Sequence, residues 1–273
     1  MRGTKAPGSG LRVLGNCPQP RAPSPERVVT RIIALIGWLM VQTTAWAAGN
    51  PGMRVWLPES VTTTAPAIDR IFYLVLTITG IVFVLVETTL VVFLIRYRAR
   101  PGTPAHYTHG NVRVEAVWTV IPACILVGLA FQSQRVWSQV RGTPPPPDLE
   151  VEITAEQFAW NIHYPGADKQ FGTADDVTTI NQLHLPLHTT VLFHLKSKDV
   201  IHSFFVPQFR MKQDAVPGIT TRLWVSPTTY GHYEIACAEL CGLGHYRMRG
   251  YLVIETGDEF LKWLEQQRAE SAP

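Results

Sequence analysis

The sequence is poor in charge. Of its 273 residues, only 16% are Asp, Glu, Lys or Arg, against about 25% in ordinary soluble chains. That deficit points to membrane segments. The net charge is only +3. No run of Lys or Arg provides the basic footprint of a nucleic-acid-binding protein. No C-x-x-C-H occurs, so no covalently attached c-type haem is expected. No internal repeat is present. Cysteine is scarce, with four residues: Cys17, Cys124, Cys237 and Cys241. The last two lie four residues apart in the stretch "CAELCGLGHYRM", Cys237 to Met248.

Three hydrophobic segments are present. In the first, Arg27 and Arg31 precede a short apolar core that ends in Ala45-Trp46-Ala47. This pattern predicts a secretory signal peptide over residues 1–47; a first membrane anchor is the alternative. The second, residues 71–95, carries one charge, Glu87. The third, residues 116–134, carries none. About 20 apolar residues cross a bilayer, so both are predicted transmembrane helices, forming a hairpin over 70–140. Glu87 is costly against lipid and is expected to face protein. Arg96, Arg98, Arg100 and Arg113 lie between the two helices. The positive-inside rule places that connection in the cytoplasm. Residues 48–69 and everything after residue 140 are then outside it.

Four consecutive prolines lie in a stiff linker, residues 141–148. Short β-rich runs follow over 149–257, separated by Pro, Gly, Asp and Asn. They predict an all-β sandwich or barrel. Residues 258–273 read as an amphipathic C-terminal helix and tail, with Phe260, Leu261 and Leu264 on one face.

Cys237, Cys241, His245 and Met248 gather two thiols, an imidazole and a thioether into twelve residues. His202, on a predicted strand, is the best candidate for a second imidazole. A disulfide would leave the His and Met unexplained, and zinc has little use for Met. Copper accounts best for the mixture, since thiolate and thioether groups select it. One thiolate is in excess for a mononuclear site, so two thiolates bridging two coppers is the arrangement that uses every donor. Disulfide and zinc remain as alternatives.

The same stretch resembles the C-x-E-x-C-G-x-G-H-x-x-M motif of cytochrome c oxidase subunit II. "DVIHSFFVPQFRMKQDAVPG" and "VEAVWTVIPA" extend the similarity to residues 50–265. The resemblance implies a two-helix transmembrane hairpin plus an all-β, cupredoxin-like Greek-key barrel. It implies a binuclear CuA centre with His202 and His245 as terminal ligands and Cys237 and Cys241 as bridging thiolates. Met248 would be a weak ligand, and Glu239 would bind through its main-chain carbonyl. The Glu239 carboxylate would help hold Mg²⁺ against subunit I, and Asp199 would orient a ligand. The implied role is electron transfer in an aa-type oxidase of a bacterial inner membrane, with the copper domain in the periplasm. Electrons would pass from a c-type cytochrome to haem in subunit I, with subunit III as a further partner. Oxygen reduction there would be coupled to proton pumping. Glu115 matches a glutamate at the mouth of a proton-uptake channel.

The family's aromatic site where electrons enter is altered. Phe158 follows Gln157, and Trp160 comes two residues later. Either ring is a candidate for the role. Asp168, Asp175 and Asp176 lie in an inserted Gly/Asp-rich loop, an acidic docking patch or a plain solvated loop. Two other readings are a CuA subunit of another terminal oxidoreductase, of nitric oxide reductase type, and a membrane-anchored copper carrier.

Overall fold

The computed structural model describes residues 57–104 and 107–271. The expected signal peptide, with Cys17, lies outside them.

Two long helices come first, α1 (Ala65–Arg96) and α2 (Val112–Arg141). Each extends beyond its predicted apolar stretch, because apolar composition marks the middle of a spanning helix and not its polar ends. Asn111 caps α2, its side-chain oxygen accepting from the backbone N–H of Arg113 and Val114. That satisfies two donors an unpaired first turn would leave open. Pro122 lies within α2. Both helices are long and apolar enough to cross a membrane, and none of the apolar window of either is buried within the chain. Glu87 is exposed on α1. Glu115 lies in the first turn of α2, where the helix dipole favours a carboxylate.

Ten strands follow: β1 (Leu149–Glu156), β2 (Ala159–Tyr164), β3 (Val177–Ile180), β4 (Gln182–Pro186), β5 (Val191–Ser197), β6 (His202–Val206), β7 (Met211–Ala215), β8 (Thr221–Val225), β9 (Gly231–Cys237) and β10 (Arg249–Glu255). They form two five-stranded sheets in the orders β3-β2-β1-β5-β8 and β4-β10-β9-β6-β7. The β1–β5 and β4–β10 pairs are parallel and the other pairings antiparallel. This is the predicted β-sandwich. Alternation fixes the register: Val151, Ile153 and Ala155 of β1, and Trp160, Ile162 and Tyr164 of β2, point inward. A one-residue slip would turn each set outward. Phe193, Phe204 and Leu252 fill the space between the sheets.

Helix α3 (Gly257–Ser271) closes one side. A reciprocal cap starts it: the Glu259 N–H donates to the Thr256 hydroxyl, and the Thr256 N–H to the Glu259 carboxylate. Phe260 and Leu264 are buried beneath it. The segment before α1 lies along the barrel. Val61 donates to the Gln208 carbonyl and accepts from Thr228, and Val61 is fully buried.

Candidate metal centre

Strand pairing brings the donors together. His202 opens β6 and Cys237 ends the neighbouring β9, with Phe204 and Cys237 opposite each other. The chain then loops through residues 238–248. The Ala238 N–H donates to the Ser203 carbonyl at 2.9 Å, and the Cys237 N–H to the Met248 carbonyl at 3.3 Å. Those two bonds fasten both ends of the loop to the sheet. A short 3₁₀ turn, His245–Arg247, directs His245 back towards the sulfurs.

The sulfur atoms of Cys237 and Cys241 lie 3.8 Å apart. That is well beyond a disulfide bond of about 2.05 Å. It is also shorter than twice a metal–sulfur bond of about 2.3 Å, so a metal on either side of the sulfur pair reaches both atoms. His202 Nδ1 lies 4.0 Å from the Cys237 sulfur, and His245 Nδ1 lies 3.6 Å from that of Cys241. The Met248 sulfur is 3.7 Å from the Cys241 sulfur, and the Glu239 carbonyl oxygen 3.2 Å from that of Cys237. Every donor named from the sequence converges here. The set fits two soft metal ions sharing two thiolates.

The surroundings set the donors' states. The second nitrogen of His202, Nε2, lies 2.8 Å from Asp199 Oδ1. A carboxylate there holds the proton on Nε2 and leaves the Nδ1 lone pair free for a metal. Burial works to raise the Asp199 pKa. Hydrogen bonds from His202 and from the N–H groups of Gln157 and Val200 outweigh it and hold the carboxyl below its usual range. Burial, with the Cys237 sulfur beside it, pushes the Cys241 thiol up to about 11. A metal has to displace that proton to bind.

The other predicted residues take distinct places. Phe158 is partly exposed, and its ring covers Gly242 and Gly244 of the loop. Gly242 has φ +135° and would strain any other residue. Trp160 is fully buried, edge-on to His202 with ring centres 6.3 Å apart. The Glu239 side chain is exposed. Asp175 and Asp176 turn into their own loop, accepting from the N–H groups of Ala167, Gly166, Gly172 and Thr173, and Asp168 accepts from that of Gln170. That loop follows the end of β2 remote from Phe158, about 20 Å along the strand. Gln157 is a residue the sequence reading passed over. Its amide donates to the Cys241 carbonyl and its N–H to Asp199 Oδ2 at 2.7 Å, so it ties β1 to both halves of the centre.

A β-sandwich following two helices long and apolar enough to cross a membrane, with a His₂Cys₂Met set gathered at one rim, defines a membrane-anchored subunit whose outer domain could hold a metal. The family model for the cytochrome c oxidase subunit II transmembrane domain matches residues 50–136, and that for its periplasmic domain matches residues 154–256. Cytochrome c oxidase subunit 2 of Thermostichus vulcanus is 31% identical over 82% of this chain and 81% of its own length. An alternative cytochrome c oxidase subunit 2 of Bradyrhizobium diazoefficiens is 33% identical over 78% of this chain and 84% of its own. Among solved structures, the periplasmic domain of cytochrome oxidase subunit II from Bradyrhizobium japonicum aligns over 48% of this chain and all of its own, at 28% identity and a TM-score of 0.41. The chain belongs to the cytochrome c oxidase subunit II family.

Proposed function

We propose that this chain is the electron-accepting subunit of an aa-type cytochrome c oxidase, and that its rim holds a binuclear CuA centre. The observation that carries the reading is the 3.8 Å sulfur pair with an imidazole close to each thiol. Cys237, Cys241, His202 and His245 would hold the copper, with Met248 and the Glu239 main-chain carbonyl close enough to assist. Bound there, the copper pair supplies a one-electron redox couple. The chain's part is to hold the donors still between oxidation states. Asp199 fixes the His202 ring, Gln157 fixes the loop, and the sheet fixes Cys237. Cys241 and Met248 are only 3% and 2% exposed, a closed site unsuited to a carrier that hands copper on.

Electrons come from a c-type cytochrome and pass to haem in subunit I, where oxygen is reduced and protons are pumped. Phe158 is the outer aromatic ring and Trp160 the inner one, which supports arrival over Phe158. Glu239, exposed beside the centre, is the candidate Mg²⁺ ligand against subunit I, and Glu115 the candidate at proton uptake. The exposed Glu87 within α1 calls for a membrane partner, met by subunit I or III. The arginines between α1 and α2 support a two-pass protein of the bacterial inner membrane with the barrel in the periplasm.

The test is copper content and spectrum. The purified full chain, loaded with copper, should bind two Cu per polypeptide. It should give an electron paramagnetic resonance spectrum of one unpaired electron shared by two copper nuclei. Cys237→Ser or Cys241→Ser should remove that signal, and His163→Gln should leave it. One copper per chain with a mononuclear blue-copper spectrum overturns the proposal.

A further inference from the structure

Away from the metal rim, a cavity of about 450 Å³ opens where α1, α2 and the barrel meet. Its floor and walls are graded. Ile71 and Phe72 of α1 and Ser133 of α2 line the part further along the helices from the barrel. Val140, Arg141, Arg210, Met211 and Lys212 line the barrel end. Phe72 and Trp137 remain exposed there, Trp137 at 61%, as aromatic side chains do at a bilayer boundary.

The three cations at the barrel end are not equivalent. Arg210 uses its guanidinium on Asp69, Pro58 and Pro207, so its charge is neutralised within the fold. Arg141 donates to the side-chain oxygen of Gln213 and to the Lys212 carbonyl at 2.9 Å, and lies 5.8 Å from the centre of the Trp137 ring. All of these acceptors are neutral. Among the described residues, neither Arg141 nor Lys212 belongs to an ion pair. Two positive charges without an ion-pair partner therefore stand at the head of an apolar cleft, beside the barrel-side ends of two helices long enough to span a bilayer.

We infer that this cavity binds one anionic glycerophospholipid from the leaflet on the barrel side. Its phosphate lies against Arg141 and Lys212, and an acyl chain runs along Ile68, Ile71, Phe72 and Val136. The polarity of the site matches that of the lipid from end to end: charge faces the barrel, and apolar surface faces the membrane interior. The volume falls within the range of about 300–1,000 Å³ usual for small-molecule sites. An uncharged apolar partner segment would leave both cations desolvated without a counter-charge, and a zwitterionic lipid would gain less from them.

The experiment uses the full chain, extracted in mild detergent with whatever subunits accompany it. It is equilibrated with equimolar phosphatidylglycerol and phosphatidylcholine, and retained lipid is read by native mass spectrometry. One phosphatidylglycerol should be retained in preference to phosphatidylcholine by about tenfold, since each surface cation favours anionic lipid appreciably. Lys212→Gln, at an exposed side chain, should lower that preference to about threefold. Arg141→Gln with Lys212→Gln should bring the two lipids to parity. Arg141→Lys with Lys212→Arg keeps both charges and should keep the preference. Parity in the unaltered chain overturns the site. So does a preference that Lys212→Gln leaves unchanged.

Discussion

The Phe158 ring rests directly on Gly244. A Cβ built at Gly244 would lie 2.4 Å from Cδ2 of that ring and 2.7 Å from its Cγ. Such a clash involves the root of the ring as well as its edge, so the ring cannot swing clear without moving the β1–β2 turn. Gly244 itself has an unstrained backbone, φ −92°, so its small size, and not its torsional freedom, is what the packing uses. Gly244→Ala should therefore cost about 2 kcal/mol, as overpacked sites do. It should also lower copper occupancy, because His245 is the next residue. Phe158→Ala in the same chain should restore much of both, and a double-mutant cycle on thermal unfolding reads the coupling. Additive losses would mean the contact is not the cause.

How much of this was legible follows from chain distance. Cys237, Cys241, His245 and Met248 share one loop, so their spacing alone brings them together. The transmembrane helices were visible because apolar composition over about 20 residues has few other uses. The barrel was visible as short alternating runs. What escaped was the long-range support. Gln157 reaches the Cys241 carbonyl across 84 residues, and Arg210 reaches Asp69 across 141. A Gln before a Phe, or an Asp at the start of an apolar helix, has no periodicity that names its partner. The acidic insertion is a different case. The sequence leaves a docking patch and a plain solvated loop both open, and that Asp175 and Asp176 accept backbone N–H groups of their own loop is something only the folded turn discloses.

Asp199 acts on the centre through His202. Removing the carboxylate frees the ring to rotate or change tautomer, and it deprives the Gln157 N–H of its acceptor. Asp199→Ala should lower copper affinity by about tenfold, the low end for residues that orient a ligand. The measurement is competition against a chelator of known affinity. The binuclear spectrum should survive at saturating copper, because none of the donors is lost. Unchanged affinity would assign Asp199 to the turn alone.

Arg210 and Asp69 clamp the start of α1 to the barrel. The guanidinium meets the carboxylate with two nitrogens, the closer contact being 2.6 Å, and the side chains are 6% and 20% exposed. Arg210 also holds the Pro58 and Pro207 carbonyls. Breaking one partner of such a pair leaves a buried charge alone, which costs about 3 kcal/mol. Asp69→Ala and Arg210→Ala should each lower the unfolding temperature of the full chain in detergent. The double variant should cost clearly less than the two single losses added together. Full additivity would show that the pair carries no mutual energy.

His184 gives the barrel an acid limit remote from the copper rim. Its ring stacks on Trp263 of α3 at 3.9 Å and 6°, and its Nδ1 lies 2.8 Å from Glu255. Desolvation lowers its pKa. Glu255 opposes that shift without overcoming it, and the charge of His232 adds to it. The folded chain thus binds this proton less readily than the unfolded chain, whose His titrates near 6.5. Above that pH both states are neutral here and the full stability is present. As pH falls below it the unfolded state gains the proton first, so stability declines, and the decline ends once pH has passed below the lowered folded value. Because the ring stacks against α3, the loss should register as loosening of that helix. Thermal unfolding of the full chain between pH 7.5 and pH 5 should show a falling midpoint. In His184→Gln the fall should be smaller, since Gln keeps a hydrogen bond to Glu255 without titrating. An identical pH profile in the variant would remove His184 as the cause.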